Sequence, residues 1–75
     1  MDFESFQKEL AEILGVDAVD VEQDTALSSL KGWDSMSVLL YMSLVDEKFG
    51  RNVSPDAIES ARTVEDLYRL AIETS

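Results

Sequence analysis

Between Asp34 and Gly50 the chain carries an apolar run that no single helical stripe can hold: Met36, Val38, Leu39, Leu40, Tyr41, Met42, Leu44, Val45 and Phe49. The run predicts a helix from Ser35 to about Phe49, stopped at Gly50. Tyr41, Val45 and Phe49, with Val38 and Met42, make a broad inward face. Met36, Leu39, Leu40 and Leu44 then cannot all point inward. A helix apolar on most sides is either central to a bundle or carries an exposed patch that meets a partner. Its last turn changes character, with Asp46, Glu47 and Lys48 in sequence.

The start of that helix holds the candidate chemistry. Asp34 reads as the N-cap, because its carboxylate can accept free N–H groups of the first turn. Ser35 then occupies the first helical position, with its hydroxyl at the positive end of the helix dipole. A phosphate bonded to that hydroxyl would sit beside unpaired N–H donors. An Asp-Ser pair before a helix is in most proteins a cap and nothing more.

Three further helices are legible, one before it and two after. Phe3, Phe6, Leu10, Ile13 and Leu14 mark one face of a helix from Phe3 to Leu14, with Asp2 as N-cap and Gly15 as terminator. Ser54-Pro55-Asp56 opens a short helix that ends before Arg62, with Ala57, Ile58 and Ala61 facing inward. Thr63-Val64-Glu65-Asp66 resembles a capping box with Asp in place of Glu, and Val64, Leu67, Tyr68, Ala71 and Ile72 follow at helical spacing.

The connection from Gly15 to Trp33 is long for a compact domain. Val16 to Val21 alternates like a strand, but nothing else in the chain is suited to pair with it. Val16, Val19, Val21, Leu27 and Leu30 are expected to pin this loop to the core. Thr25 to Leu30 is expected to form one helical turn capped by Asp24 or Thr25. Asp17, Asp20, Glu22 and Asp24 lack the spacing, central glycine and terminal glutamate of a calcium-binding EF-hand loop. The expected architecture is all-α: a four-helix bundle with a short third helix and a long first loop, in one domain over residues 1–75.

Composition removes several classes of function. The chain has no histidine and no cysteine, so it lacks the commonest general base, a thiol nucleophile and thiolate metal ligands. No metal site and no catalytic residue are expected. Sixteen acidic against six basic residues give a formal charge of −10, which repels nucleic acid and anionic membranes and favours basic partners. No apolar run spans a bilayer, and the N-terminus lacks the pattern of a signal peptide. A soluble, cytoplasmic monomer is expected.

From end to end the chain resembles an acyl carrier protein. Asp34-Ser35-Met36 stands where that family has its attachment motif, with Leu27 and Leu30 ahead of it in the loop. Asp46-Glu47-Lys48-Phe49-Gly50 leads into a short third helix and a fourth opened by Thr-Val. The resemblance implies that Ser35 accepts 4′-phosphopantetheine from coenzyme A through a phosphodiester, and that the thiol of this arm carries acyl groups as thioesters. It implies that a phosphopantetheinyl transferase, with its own magnesium ion, performs the attachment, since no histidine is present to activate Ser35.

The resemblance also assigns partner contacts. Asp34 would orient the transferase encounter, and Met36 matches the large apolar residue that meets partner enzymes. Asp46 and Glu47 match acidic positions that partners contact through Arg and Lys. Val53 matches an apolar contact before the third helix, although core packing explains it as well. Trp33 either flanks the arm or closes the loop onto the core. Leu39 and Leu40 belong to the apolar excess of helix two. Ser37 and Leu40 stand where fatty-acid carriers usually place acids, so docking there is expected to be more apolar, by acyl-loading and acyl-processing enzymes of a specialised fatty-acid, polyketide or related pathway. Met42, Leu44, Ala57, Ile58 and Tyr68 are candidates to line a space for cargo between helices two and three. An aminoacyl, peptidyl or D-alanyl carrier is an alternative, and a non-enzymatic acidic helical adaptor a remote one.

Overall fold

The computed structural model describes residues 2–72. Helix α1 spans Phe3–Leu14, as the spacing predicts. The Asp2 carboxylate accepts the Ser5 N–H at 2.9 Å. At the other end Gly15 turns left-handed (φ +72°), so that the N–H groups of Gly15 and Val16 reach the carbonyls of Glu12 and Ala11. This is the Schellman closure that glycine permits. Phe6, Leu10, Ala11 and Leu14 are buried.

The long loop is ordered by two means that periodicity does not reveal. Gln7 of α1 donates its side-chain amide to the carbonyls of Ala18 (2.8 Å) and Val21 (2.6 Å). Further on, the loop pairs with the approach to the fourth helix. Leu27 N–H donates to Arg62 O, Val64 N–H to Thr25 O and Glu65 N–H to Gln23 O, around an isolated antiparallel bridge between Ala26 and Thr63. These bonds satisfy backbone groups that a loop of this length would otherwise leave to water.

Val21 and Leu27 are buried, and Val16 and Leu30 pack against the core, as expected. Val19 is not: a 3₁₀ turn over Ala18–Asp20 breaks the alternation, and Val19 is 76% exposed. A second 3₁₀ turn, Leu27–Ser29, follows Ala26 with no side-chain cap. Neither Asp24 nor Thr25, the two caps expected, serves it, and the Thr25 hydroxyl instead accepts the Glu22 N–H at 3.0 Å.

Helix α2 covers Ser35–Leu44 and continues as a π turn over Val45–Phe49 before Gly50. The helix thus runs to Phe49 and stops at Gly50 as expected, but its last five residues take the π form, and Lys48 supplies a reason. At about 100° per residue, Lys48 would fall among Tyr41, Leu44 and Val45, all buried. An i→i+5 turn advances less per residue. It leaves Lys48 exposed and brings Phe49 against the core, with its ring 6.3 Å from that of Phe6.

Helix α3, Pro55–Ser60, is capped by Ser54, whose hydroxyl accepts the Ala57 N–H, and it buries Ile58. Helix α4, Val64–Ile72, buries Val64, Leu67 and Ala71, while Ile72 lies on the outside. The anticipated capping box forms at its start. Asp66 accepts the N–H groups of Arg62 (2.9 Å) and Thr63 (3.2 Å), and the Thr63 hydroxyl accepts that of Asp66. Phe6 is central to the core, with Tyr41, Phe49 and Tyr68 around it. Among the described residues the fold is thus all-α, with four helices, the third one short.

Candidate functional site

The segment Gly32-Trp33-Asp34-Ser35 is held in place from several sides. Gly32 has φ +87°, and a Cβ there would lie 3.0 Å from the carbonyl oxygen of Leu14, so the loop backbone rests on the end of α1 where only glycine fits. Trp33 is half-buried and lies edge to face with the buried Tyr41. Asp34 is extended (φ −141°, ψ −169°), and its carboxylate accepts the Ser37 N–H at 3.1 Å, the geometry of an N-cap.

Ser35 follows as the first residue of α2, and it is exposed. Its N–H and that of Met36 have no acceptor within the helix, as is general for a first turn. An anion bonded to the Ser35 oxygen would meet these donors and the positive end of the dipole. The chain has no histidine, and no cluster able to hold a metal occurs among the described residues. The site can therefore present a hydroxyl, but the chain has no imidazole of its own to activate it.

Beside Ser35 lies a cleft of about 460 Å³ between α2 and α3. Trp33, Ser35, Val38, Leu39 and Met42 line one wall, and Pro55, Ile58, Glu59 and Ala61 the other. Met42 and Ile58 were expected there. Leu44, Ala57 and Tyr68 were too, but they are elsewhere. Leu44 is buried in the core, and Tyr68 packs on Phe3 and Phe6. Ala57 lines a separate hollow with Asp66 and Arg69. Trp33 takes both of the places foreseen for it, since it flanks the cleft and closes the loop onto the core.

Helix α2 turns an apolar strip to solvent: Met36 is 64% exposed, Leu39 61% and Leu40 43%. Asp46 and Glu47 are exposed on the π turn beyond it. Asp34 is exposed as well. Val53 is buried, 7% exposed, and packs in the core, one of the two places open to it. One expectation for this surface needs correction: Ser37 does not lie on the exposed side of α2, being only 4% exposed. Its hydroxyl donates to the Gly32 carbonyl, and its oxygen lies 3.3 Å from Asp34 Oδ1. Sequence reasoning missed both this bond and the Gly32–Leu14 contact. The available signal was a glycine two residues before a capping Asp, together with a serine at the third helical position.

A family model described as phosphopantetheine attachment site matches residues 4–71. No curated protein and no solved structure matches the chain.

Proposed function

The chain belongs to the phosphopantetheine-attachment family, and from that premise we propose that Ser35 is the attachment residue of an acyl carrier. Members of this family carry 4′-phosphopantetheine as a covalent prosthetic group. The observation that carries the assignment is the exposed Ser35 hydroxyl, at the capped start of α2 and on the wall of a largely apolar cleft.

In the attachment step the Ser35 oxygen forms a P–O bond to the phosphorus that bears the pantetheine of coenzyme A. The pyrophosphate P–O bond breaks, the nucleotide half leaves with the bonding electrons, and the hydroxyl proton passes to a base of the transferase. Ser35 is thus a substrate, and the protein supplies position instead of catalysis. The terminal thiol of the bound arm supplies thioester chemistry, and tethering raises the effective concentration of cargo at a docked enzyme.

Val38, Leu39, Met42 and Ile58 make the cleft suited to apolar acyl cargo, and methionine adapts to varied shapes. Burial there contributes at most about 0.8 kcal/mol per methylene. The exposed Met36, Leu39 and Leu40, followed by Asp46 and Glu47, support docking by enzymes with an apolar patch and a basic rim. A carrier for a specialised pathway fits this surface better than one whose docking depends on charge throughout. Incubation with coenzyme A, magnesium and a broad-specificity phosphopantetheinyl transferase tests the assignment by mass. The protein is expected to gain one arm, and Ser35→Ala none. A folded wild-type protein left unmodified would refute it.

A further inference from the structure

We propose that Ser37 is a positioning residue for the modification of Ser35: its buried hydroxyl ties down the Gly32 carbonyl and so fixes the direction in which Ser35 is presented. The proposal rests on the reading of Ser35 as the attachment residue.

A serine inside a helix commonly turns its hydroxyl to solvent or to the carbonyl one turn back in its own helix. Ser37 does neither. It is 4% exposed, and its hydroxyl reaches five residues back to Gly32, outside α2. The bond closes a ring from Gly32 to Ser37, and Ser35 lies within that ring. Gly32 is itself seated on the Leu14 carbonyl. The orientation of the Ser35 hydroxyl is thereby referred to the end of α1, through Gly32, and to α2, through Ser37.

The other ties on this segment do not replace that bond. Trp33 N–H reaches the Leu30 carbonyl only at 3.5 Å, the long limit for a hydrogen bond. The Trp33 ring is held by Tyr41, but an edge-to-face contact restrains an indole more than it restrains a backbone carbonyl. Asp34 caps the helix through the Ser37 backbone N–H, which any residue at position 37 supplies, and its Oδ1 also lies 3.3 Å from the Ser37 hydroxyl. Removing the hydroxyl therefore deletes the ring closure and this side-chain contact, and leaves the backbone cap in place.

A looser ring leaves the exposed face of α2 unchanged, because Met36, Leu39, Leu40, Asp46 and Glu47 make no bond to Ser37 Oγ. Enzyme docking should persist while the hydroxyl spends less time aligned for attack. Misplacement of a reacting group by about an ångström costs up to about a hundredfold, so a partial loosening is expected to cost about tenfold. That loss should fall on kcat and not on KM.

The test measures phosphopantetheinyl transfer with this protein as the varied substrate, for wild type, Ser37→Ala and Ser37→Thr. Amide hydrogen exchange of residues 32–36 is followed in parallel. Ser37→Ala is expected to lower kcat about tenfold with KM changed less than about twofold, and to speed exchange in 32–36 while the core amides stay protected. Ser37→Thr, which keeps a hydroxyl, is expected to recover most of the rate. The proposal is overturned by equal kcat in wild type and Ser37→Ala, by a loss confined to KM, by a rate that merely follows the folded fraction, or by a folded Ser37→Thr no better than Ser37→Ala. Failure of the wild-type protein itself to be modified, beside a control carrier that is, overturns the assignment of Ser35. That outcome is distinct from equal rates, which remove only the role of Ser37.

Discussion

The indole of Trp33 meets the ring of Tyr41 edge to face, with centroids 6.3 Å apart and planes at 74°. Tyr41 is fully buried, and its hydroxyl donates to the Leu67 carbonyl of α4. The residue two places before Ser35 is therefore packed on a side chain that joins α2 to α4. Core aromatic-to-alanine changes cost about 3–5 kcal/mol, and Trp33 is half-buried. Trp33→Ala is expected to destabilise the fold by about 2 kcal/mol, with Trp33→Phe keeping most of that contact. Urea unfolding followed by far-ultraviolet circular dichroism measures both. A change of a few tenths for Trp33→Ala would mean that the ring contact contributes little.

The two halves of the exposed face of α2 should respond differently to salt. Leu39 and Leu40 offer apolar area, whereas Asp46 and Glu47 offer charges that ions screen. Leu39→Ser with Leu40→Ser is expected to weaken transferase binding by about tenfold or more, from roughly 1–2 kcal/mol of lost burial, equally at low and high salt. Asp46→Lys with Glu47→Lys should weaken binding most at low salt and flatten its salt dependence. Calorimetric titration across ionic strengths distinguishes the two patterns, and identical salt slopes in both double variants would contradict this division.

The helices were legible because their signals are local. Asp2, Ser54 and Thr63 cap what their positions predict, and Gly15 and Gly50 end what precedes them. The excess of apolar residues on α2 also had a readable consequence: Leu44 turns in, while Met36, Leu39 and Leu40 stay out. What escaped was whatever depends on contacts between segments distant in sequence. The Ala26–Thr63 bridge, the Gln7 amide on the loop and the seat of Gly32 on Leu14 arise from tertiary placement, and no short window contains both partners. Ser37 was misjudged for a related reason. The acid that fatty-acid carriers usually have at its position suggested the surface, but its hydroxyl has a carbonyl to satisfy inside.

Asp66 links pH to stability through the start of α4. The N–H groups of Arg62 and Thr63 hold its carboxyl below the ordinary carboxylate range. A group whose folded pKa is depressed binds fewer protons when folded, so its contribution is complete above the unfolded pKa and is lost as pH falls through the folded one. Acidification also relieves repulsion in a chain of charge −10, which acts in the opposite direction. A comparison with Asp66→Asn separates the two effects. The melting temperature of wild type should exceed that of Asp66→Asn by a constant margin near neutral pH, and the margin should close below the ordinary carboxylate range. A margin independent of pH would show that the carboxylate charge does not matter to the cap.

Lys48 makes the π turn itself open to test. If its charge is what opposes an α-helical register through Phe49, an apolar side chain at that position should restore the register. In Lys48→Leu the turn over residues 45–49 is expected to revert to i→i+4 bonding, with the leucine packing against Tyr41, Leu44 and Val45. Lys48→Gln, which stays polar, should keep the i→i+5 pattern. Amide-to-amide contacts in nuclear magnetic resonance spectra report which pattern is present. Reversion would also turn Asp46 and Glu47 around the helix axis, so Lys48→Leu should alter the salt dependence of transferase binding although it leaves both acids in place. An unchanged π turn in Lys48→Leu would shift the cause from the lysine to the packing of Phe49 on Phe6.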